Sequence, residues 1–309
     1  MSSRALSVAA RAVPVAGLVA ALGLLSVTVD LPAAIGLLAT VDAGALAVAA
    51  GLMGAVIVLA TFKIGAVLRS VEMPRAFRRV LGALLSSATL NTFVPGRGGD
   101  LFRAFLLSDH RGQLLPAVGA VAVERLLDLG TLALLGVTLG AATGRWTTAG
   151  LSAGVLAALV GGLALFGLGV RLPVLERRLA SVREVLGTLA RHPRELALAA
   201  LLSAATWTGN MVLMVVCLRA LGVDLPALEI LAVAPLAILT AIVPISISGI
   251  GTRDLVLVTL LAAPGERVAA GALLYAAIQS VAMPLLGSFV LGREGFESYR
   301  RLMLEARAS

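Results

Sequence analysis

Three charged residues sit within about one turn of an otherwise apolar stretch: Glu124, Arg125 and Asp128, inside the run from Pro116 to Ala141. On a helix Glu124 and Asp128 share a face, and Arg125, three before Asp128, can pair with it. A charge deep in a bilayer costs about 2.5 to 3.5 kcal/mol even on a lenient insertion scale, so the cluster is paired, functional, or close enough to the interface to reach water. A structural ion pair tying helices together is one reading. The other is a polar wall in a cavity, with Arg125 meeting an acidic headgroup. Two carboxylates against one arginine leave a negative charge, and Arg97 or Arg103 in the preceding segment is the nearest residue able to balance it. A phosphate would then compete with a carboxylate for that arginine, linking its binding to protonation of Glu124 or Asp128.

Two further segments resemble each other. The first runs Asn91-Thr92-Phe93-Val94-Pro95-Gly96-Arg97-Gly98-Gly99-Asp100-Leu101-Phe102-Arg103, and the second Thr240-Ala241-Ile242-Val243-Pro244-Ile245-Ser246-Ile247-Ser248-Gly249-Ile250-Gly251-Thr252-Arg253-Asp254. Each has Val-Pro, then a pair of glycines, then an arginine eight or nine residues after the proline. Proline and glycine interrupt helical hydrogen bonding, leaving bare carbonyls before the break and bare N–H groups after it. At membrane depth such groups survive only where protein or a water-filled cavity surrounds them. Paired breaks of this kind point to a transporter's binding site, with half-helix N-termini facing an anionic group. Tight turns with snorkelling arginines are the plainer alternative.

The elements that must position these residues are membrane spans. The chain of 309 residues is 59% hydrophobic and 14% charged, too apolar for a water-soluble fold to hide. Nearly uncharged stretches recur at 12–29, 43–62, 116–141, 149–170, 196–218, 227–249 and 268–291, and about 20 helical residues cross the hydrocarbon core. The net charge of +8 comes from arginines lying between these stretches, which is the positive-inside pattern of a polytopic protein and excludes nucleic-acid binding. Both termini are expected in the cytoplasm, with Lys63, Arg69, Arg75, Arg78 and Arg79 in one cytoplasmic loop and Arg145 outside. The helix parity closes only if 80–107 and 227–263 each enter and leave on one side, the second as a re-entrant hairpin or a full span with a short partner.

The expected fold is therefore an all-α polytopic membrane protein, a single domain over 1–309. It has about six full spans plus two broken or re-entrant helix pairs, as inverted-repeat halves at about 10–145 and 146–295 and a cytoplasmic tail at 293–309. No His-Asp or Ser-His set, paired metal ligands or nucleotide loop is visible; His110 and His192 lie in separate loops and Cys217 is alone. No metal, cofactor or enzymatic activity is expected.

Three motifs resemble those of the lysylphosphatidylglycerol synthase transmembrane-region family. Asn91, Pro95, Gly99, Asp100 and Arg103 look like its first hallmark, and Glu124-Arg125-x-x-Asp128 like its second. Pro244, Ser246, Ser248, Gly249, Gly251, Arg253 and Asp254 look like its third, with Ser248 where glycine is common and Asp254 where glutamate is common. The resemblance covers about 10–295. It implies an eight-helix-like, stand-alone flippase domain in the plasma membrane, without the aminoacyl transferase domain of the multiple peptide resistance factors. The expected partners are phospholipid or polyprenyl-phosphate-linked lipids, with Arg97, Arg103 and Arg253 binding phosphate beside the backbone of Gly98 and Gly99. Membrane-embedded lipid modification and small-solute or ion transport on the same scaffold are the alternatives.

Overall fold

The computed structural model describes residues 29–93, 98–167, 184–188, 190–242 and 251–280. Among them every regular element is helical: α1 Leu31–Leu37, α2 Ala43–Ser70, α3 Phe77–Phe93, α4 Gly98–Leu107, α5 Arg111–Ala142, α6 Trp146–Gly167, α7 Pro193–Ala220, α8 Ala227–Ile242 and α9 Thr252–Leu260. A further helix, α10, occupies 265–280. The span expected at 12–29 lies outside the described residues, apart from its last position.

Among the described residues three helices are long and apolar enough to cross a bilayer: α2, α6 over Trp146–Leu165, and α7. Their lengths of 28, 20 and 28 residues give about 30 to 42 Å of rise, matching or exceeding the hydrocarbon core. α5 has 32 residues, but its three charges set it apart from an ordinary lipid-facing span. α8 has 16 residues, about 24 Å of rise, and so stops short of a full crossing within its described length.

Helix ends follow local chemistry. Asp42 starts α2 by accepting from the N–H groups of Gly44 (2.7 Å) and Ala45 (3.1 Å). α5 and α7 stop where Gly144 and Gly222 take positive φ (70° and 76°). There the N–H of the next residue returns to a carbonyl five back: Arg145 to Gly140 and Val223 to Leu218. Glu72 plays the same part after α2 at φ 56°, with Met73 donating to the Leu68 carbonyl.

The chain divides into two compact units. One comprises residues 1–56, 132–156 and 207–282, the other 57–131, 157–206 and 283–309. Each takes part of α2, α5, α6 and α7 and one complete pair of short helices, α8–α9 in the first and α3–α4 in the second. Within each pair the two helices pack directly on one another.

The C-terminus of each short second helix is held by arginine. Arg75 Nε donates to the Leu107 carbonyl at 2.9 Å, and Arg79 Nη2 donates to those of Leu106 (2.9 Å) and Ser108 (3.0 Å). Both guanidinium groups are paired with Asp109. In the other unit Arg145 donates to the Leu260 carbonyl at 2.7 Å and pairs with Glu229 at 2.6 Å. These carbonyls end a helix with no intrahelical partner, and a cation there satisfies them and complements the helix dipole.

Candidate functional site

The break after α3 is closed by side chains on either side of it. Asn91, on the last turn of α3, accepts from the Gly99 N–H at 2.9 Å and donates to Asp100 at 3.3 Å. Ser87, one turn earlier, also donates to Asp100 at 3.3 Å. Gly99 is required by space, since a Cβ there would run into the Ser87 carbonyl oxygen and the Asn91 carboxamide. This contact fixes α4 against α3 and aims Asp100 and Arg103, three residues apart on α4, at α5.

On α5 the carboxylates of Glu124 and Asp128 meet a cation from α2. Lys63 Nζ lies 2.8 Å from Glu124 and 2.6 Å from Asp128, with side-chain exposures of 2%, 5% and 3%. Arg103 Nη2 reaches Glu124 at 2.5 Å. Arg125 turns mainly to Asp100, through two N–H groups at 2.7 and 3.0 Å, and only weakly to Asp128 at 3.6 Å. Ser203 on α7 donates to Asp128 at 2.9 Å. Three cations (Lys63, Arg103, Arg125) thus face three carboxylates (Asp100, Glu124, Asp128), and the excess negative charge read from α5 alone is cancelled.

Lys63 corrects the sequence reading. It was expected in a cytoplasmic loop, yet α2 continues to Ser70 and carries Lys63 into a buried position, where it bridges two carboxylates. The compensating arginine is Arg103; Arg97 and Pro95 lie outside the described residues. Gly98 opens α4.

One feature separates Arg103 from the rest of the network. Its side chain is 1% exposed, yet Nε and Nη1 have no hydrogen-bond partner among the described residues. A buried guanidinium with idle donors is costly, and Nε and Nη1, which lie on different edges of the group, can each receive a carboxylate or phosphate oxygen. Arg125, at 32% exposure, is the most open member of the cluster.

The second break ends differently. Gly251 takes φ 92° before α9, and its N–H donates to Asp254 at 3.0 Å. Arg253 is pinned: Nε and Nη2 donate to Asp254 at 3.0 and 2.7 Å, Nη2 also to the Ala272 carbonyl at 3.1 Å, and the guanidinium stacks 5.0 Å from the Tyr275 ring. Beside it Gln279 donates to Tyr275 and Asn210 at 2.7 and 2.9 Å. Arg253 and Asp254 therefore form a packed, mutually neutral pair. Pro244, Ser246, Ser248 and Gly249 lie outside the described residues.

Sequence reasoning missed Lys63, Ser87 and Ser203 in the first cluster, and Asn210, Tyr275 and Gln279 in the second. A lysine followed by the apolar run Ile64–Leu68 was the available signal for the first. The serines, Asn210 and Gln279 stand as single polar residues in apolar segments and carry no spacing pattern.

Residues 13–287 match the profile of a family described as the lysylphosphatidylglycerol synthase TM region. A curated relative, Glycosyltransferase AglD of Haloferax volcanii, is 28% identical over 316 aligned positions, covering 84% of this chain and 50% of that protein. The chain thus spans half the length of this relative. The relative's name overturns the expectation that the chain has no enzymatic role: a protein similar over most of this chain is called a glycosyltransferase.

Proposed function

The chain belongs to the lysylphosphatidylglycerol synthase TM-region family, and on that premise we propose that it binds the phosphate of a lipid or lipid-linked sugar at Arg103 and carries that headgroup through the bilayer. The observation that carries this reading is the buried Arg103 guanidinium, whose Nε and Nη1 donors are idle among the described residues, within a neutral six-charge network. An electroneutral setting lets a polar headgroup enter without meeting a net repulsive field, while the idle donors of Arg103 offer its phosphate charge-assisted bonds. The acyl or prenyl tail stays in lipid.

In this reading α3–α4 and α8–α9 are re-entrant pairs at matching places in inverted-repeat halves, 10–145 and 146–295, of a multi-pass protein of the cell membrane with both termini cytoplasmic. Asn91, Gly98 and Gly99 shape the first entrance, with Asp100 and Arg125 at its more open side. Arg253 and Asp254 stabilise the second pair rather than touch the lipid.

The test is transbilayer movement of labelled anionic phospholipid and polyprenyl-phosphate sugar in proteoliposomes. Movement above protein-free vesicles that is lost in Arg103→Gln supports the reading. Rates equal to empty vesicles for both lipid classes refute it. A second reading, favoured by the name of the Haloferax protein, has the same Arg103 guanidinium hold a lipid-linked sugar for transfer. Formation of a new glycosidic product from that lipid, dependent on Arg103, would distinguish it.

A further inference from the structure

We infer that each singly charged headgroup bound at Arg103 brings one proton into the cluster, taken up by the Glu124–Asp128 pair. This rests on the proposed headgroup site and adds an ion-coupling activity to it. Among the described residues the charged groups facing the pair are Lys63 from α2, Asp100 and Arg103 from α4, and Arg125 from α5 itself, with the Ser203 hydroxyl from α7. Of these charged groups, Ser87 and Asn91 from α3 reach only Asp100. With all six groups ionised the cluster sums to zero, so a phosphodiester adds one uncompensated negative charge to a site whose central side chains are almost fully buried.

The geometry points to where compensation falls. Arg103 turning its guanidinium to phosphate withdraws from Glu124, which it holds at 2.5 Å. Glu124 is then left with Lys63, already 2.6 Å from Asp128. One ammonium between two carboxylates leaves one negative charge unmatched, and two like charges sharing a site favour binding a proton between them. Asp100 is not the acceptor, because it keeps both Arg125 contacts along with Ser87 and Asn91. The pair thus serves as a proton carrier whose occupancy is tied to that of the headgroup site.

The experiment is calorimetric titration of the full chain in detergent with a short-chain phosphatidylglycerol, a phosphodiester that does not itself titrate near neutrality. It is run at one pH in two buffers of different ionisation enthalpy. The expected result is a buffer-dependent heat equivalent to about one proton taken up per lipid, with Kd weakening about tenfold per unit rise in pH. In Glu124→Gln, which places a neutral group beside Lys63, binding persists and the pH slope disappears. Measurable binding with identical heats in both buffers overturns the inference and leaves the headgroup site standing. No binding of this lipid or of a short-chain isoprenyl phosphate at any pH overturns the proposed function, and this inference with it. The wild-type measurement decides the matter even if Glu124→Gln fails to fold.

Discussion

Arg253→Ala separates the two arginines that look alike in the sequence. The change removes two N–H contacts to Asp254 at 3.0 and 2.7 Å, one to the Ala272 carbonyl at 3.1 Å, and the stacking on Tyr275. Asp254, which is fully buried, keeps among the described residues only the Gly251 N–H at 3.0 Å. Breaking one side of such a pair costs about 3 to 5 kcal/mol, chiefly because the remaining charge stays buried without its counter-ion. At about 2 to 4 °C per kcal/mol, that is a drop in melting temperature on the order of 10 °C. The assay is thermal unfolding of detergent-purified protein, followed by loss of the monodisperse size-exclusion peak. Arg253→Met with Asp254→Asn removes both charges together and should recover most of the loss. An Arg253→Ala protein with an unchanged melting temperature and abolished headgroup movement would refute the reasoning, since it would make Arg253 a binding group.

Gly99→Ala should cost about 1 to 3 kcal/mol through overpacking against Ser87 and Asn91, and should impair headgroup movement by displacing Asp100 and Arg103; a melting curve and a transport assay on one preparation check both. Lys63→Met leaves Glu124 and Asp128 facing each other without their shared cation and should destabilise by about 3 to 5 kcal/mol, with partial recovery when Asp128→Asn is added. Equal melting temperatures for Lys63→Met and wild type would remove Lys63 from the network. Cysteines placed in the segment 177–191 should resist external labelling in intact cells and react after permeabilisation. The native Cys217, buried in α7, should contribute no signal.

Much of the first cluster was legible because it depends on short-range spacing. Glu124, Arg125 and Asp128 declare a charged helix face, their imbalance demands a cation, and Arg103 on the preceding element supplies it. Lys63 was not legible as a partner because a lysine after 20 apolar residues reads as the end of a span, where its amine snorkels to the interface. Only the continuation of α2 to Ser70 makes it internal. The pairing of Arg125 with Asp100 in preference to Asp128 depends on the tilt of α4 against α5, which no periodicity reports. Arg253 shows the same limit, for its neighbours Ala272 and Tyr275 lie about twenty residues away on α10. The motif marks the residue, and tertiary packing decides whether its donors are used up.

The claim that Arg103, with its idle Nε and Nη1 donors, holds a lipid phosphate is tested most directly by the lipid that leaves the membrane with the protein. Gently extracted wild type and Arg103→Gln, matched for melting temperature and monodispersity, are compared by native mass spectrometry with identification of the bound lipid. The account predicts a phosphate-bearing lipid retained by wild type and absent or strongly depleted in Arg103→Gln. The same phosphate-bearing lipid at the same occupancy on both proteins would contradict it.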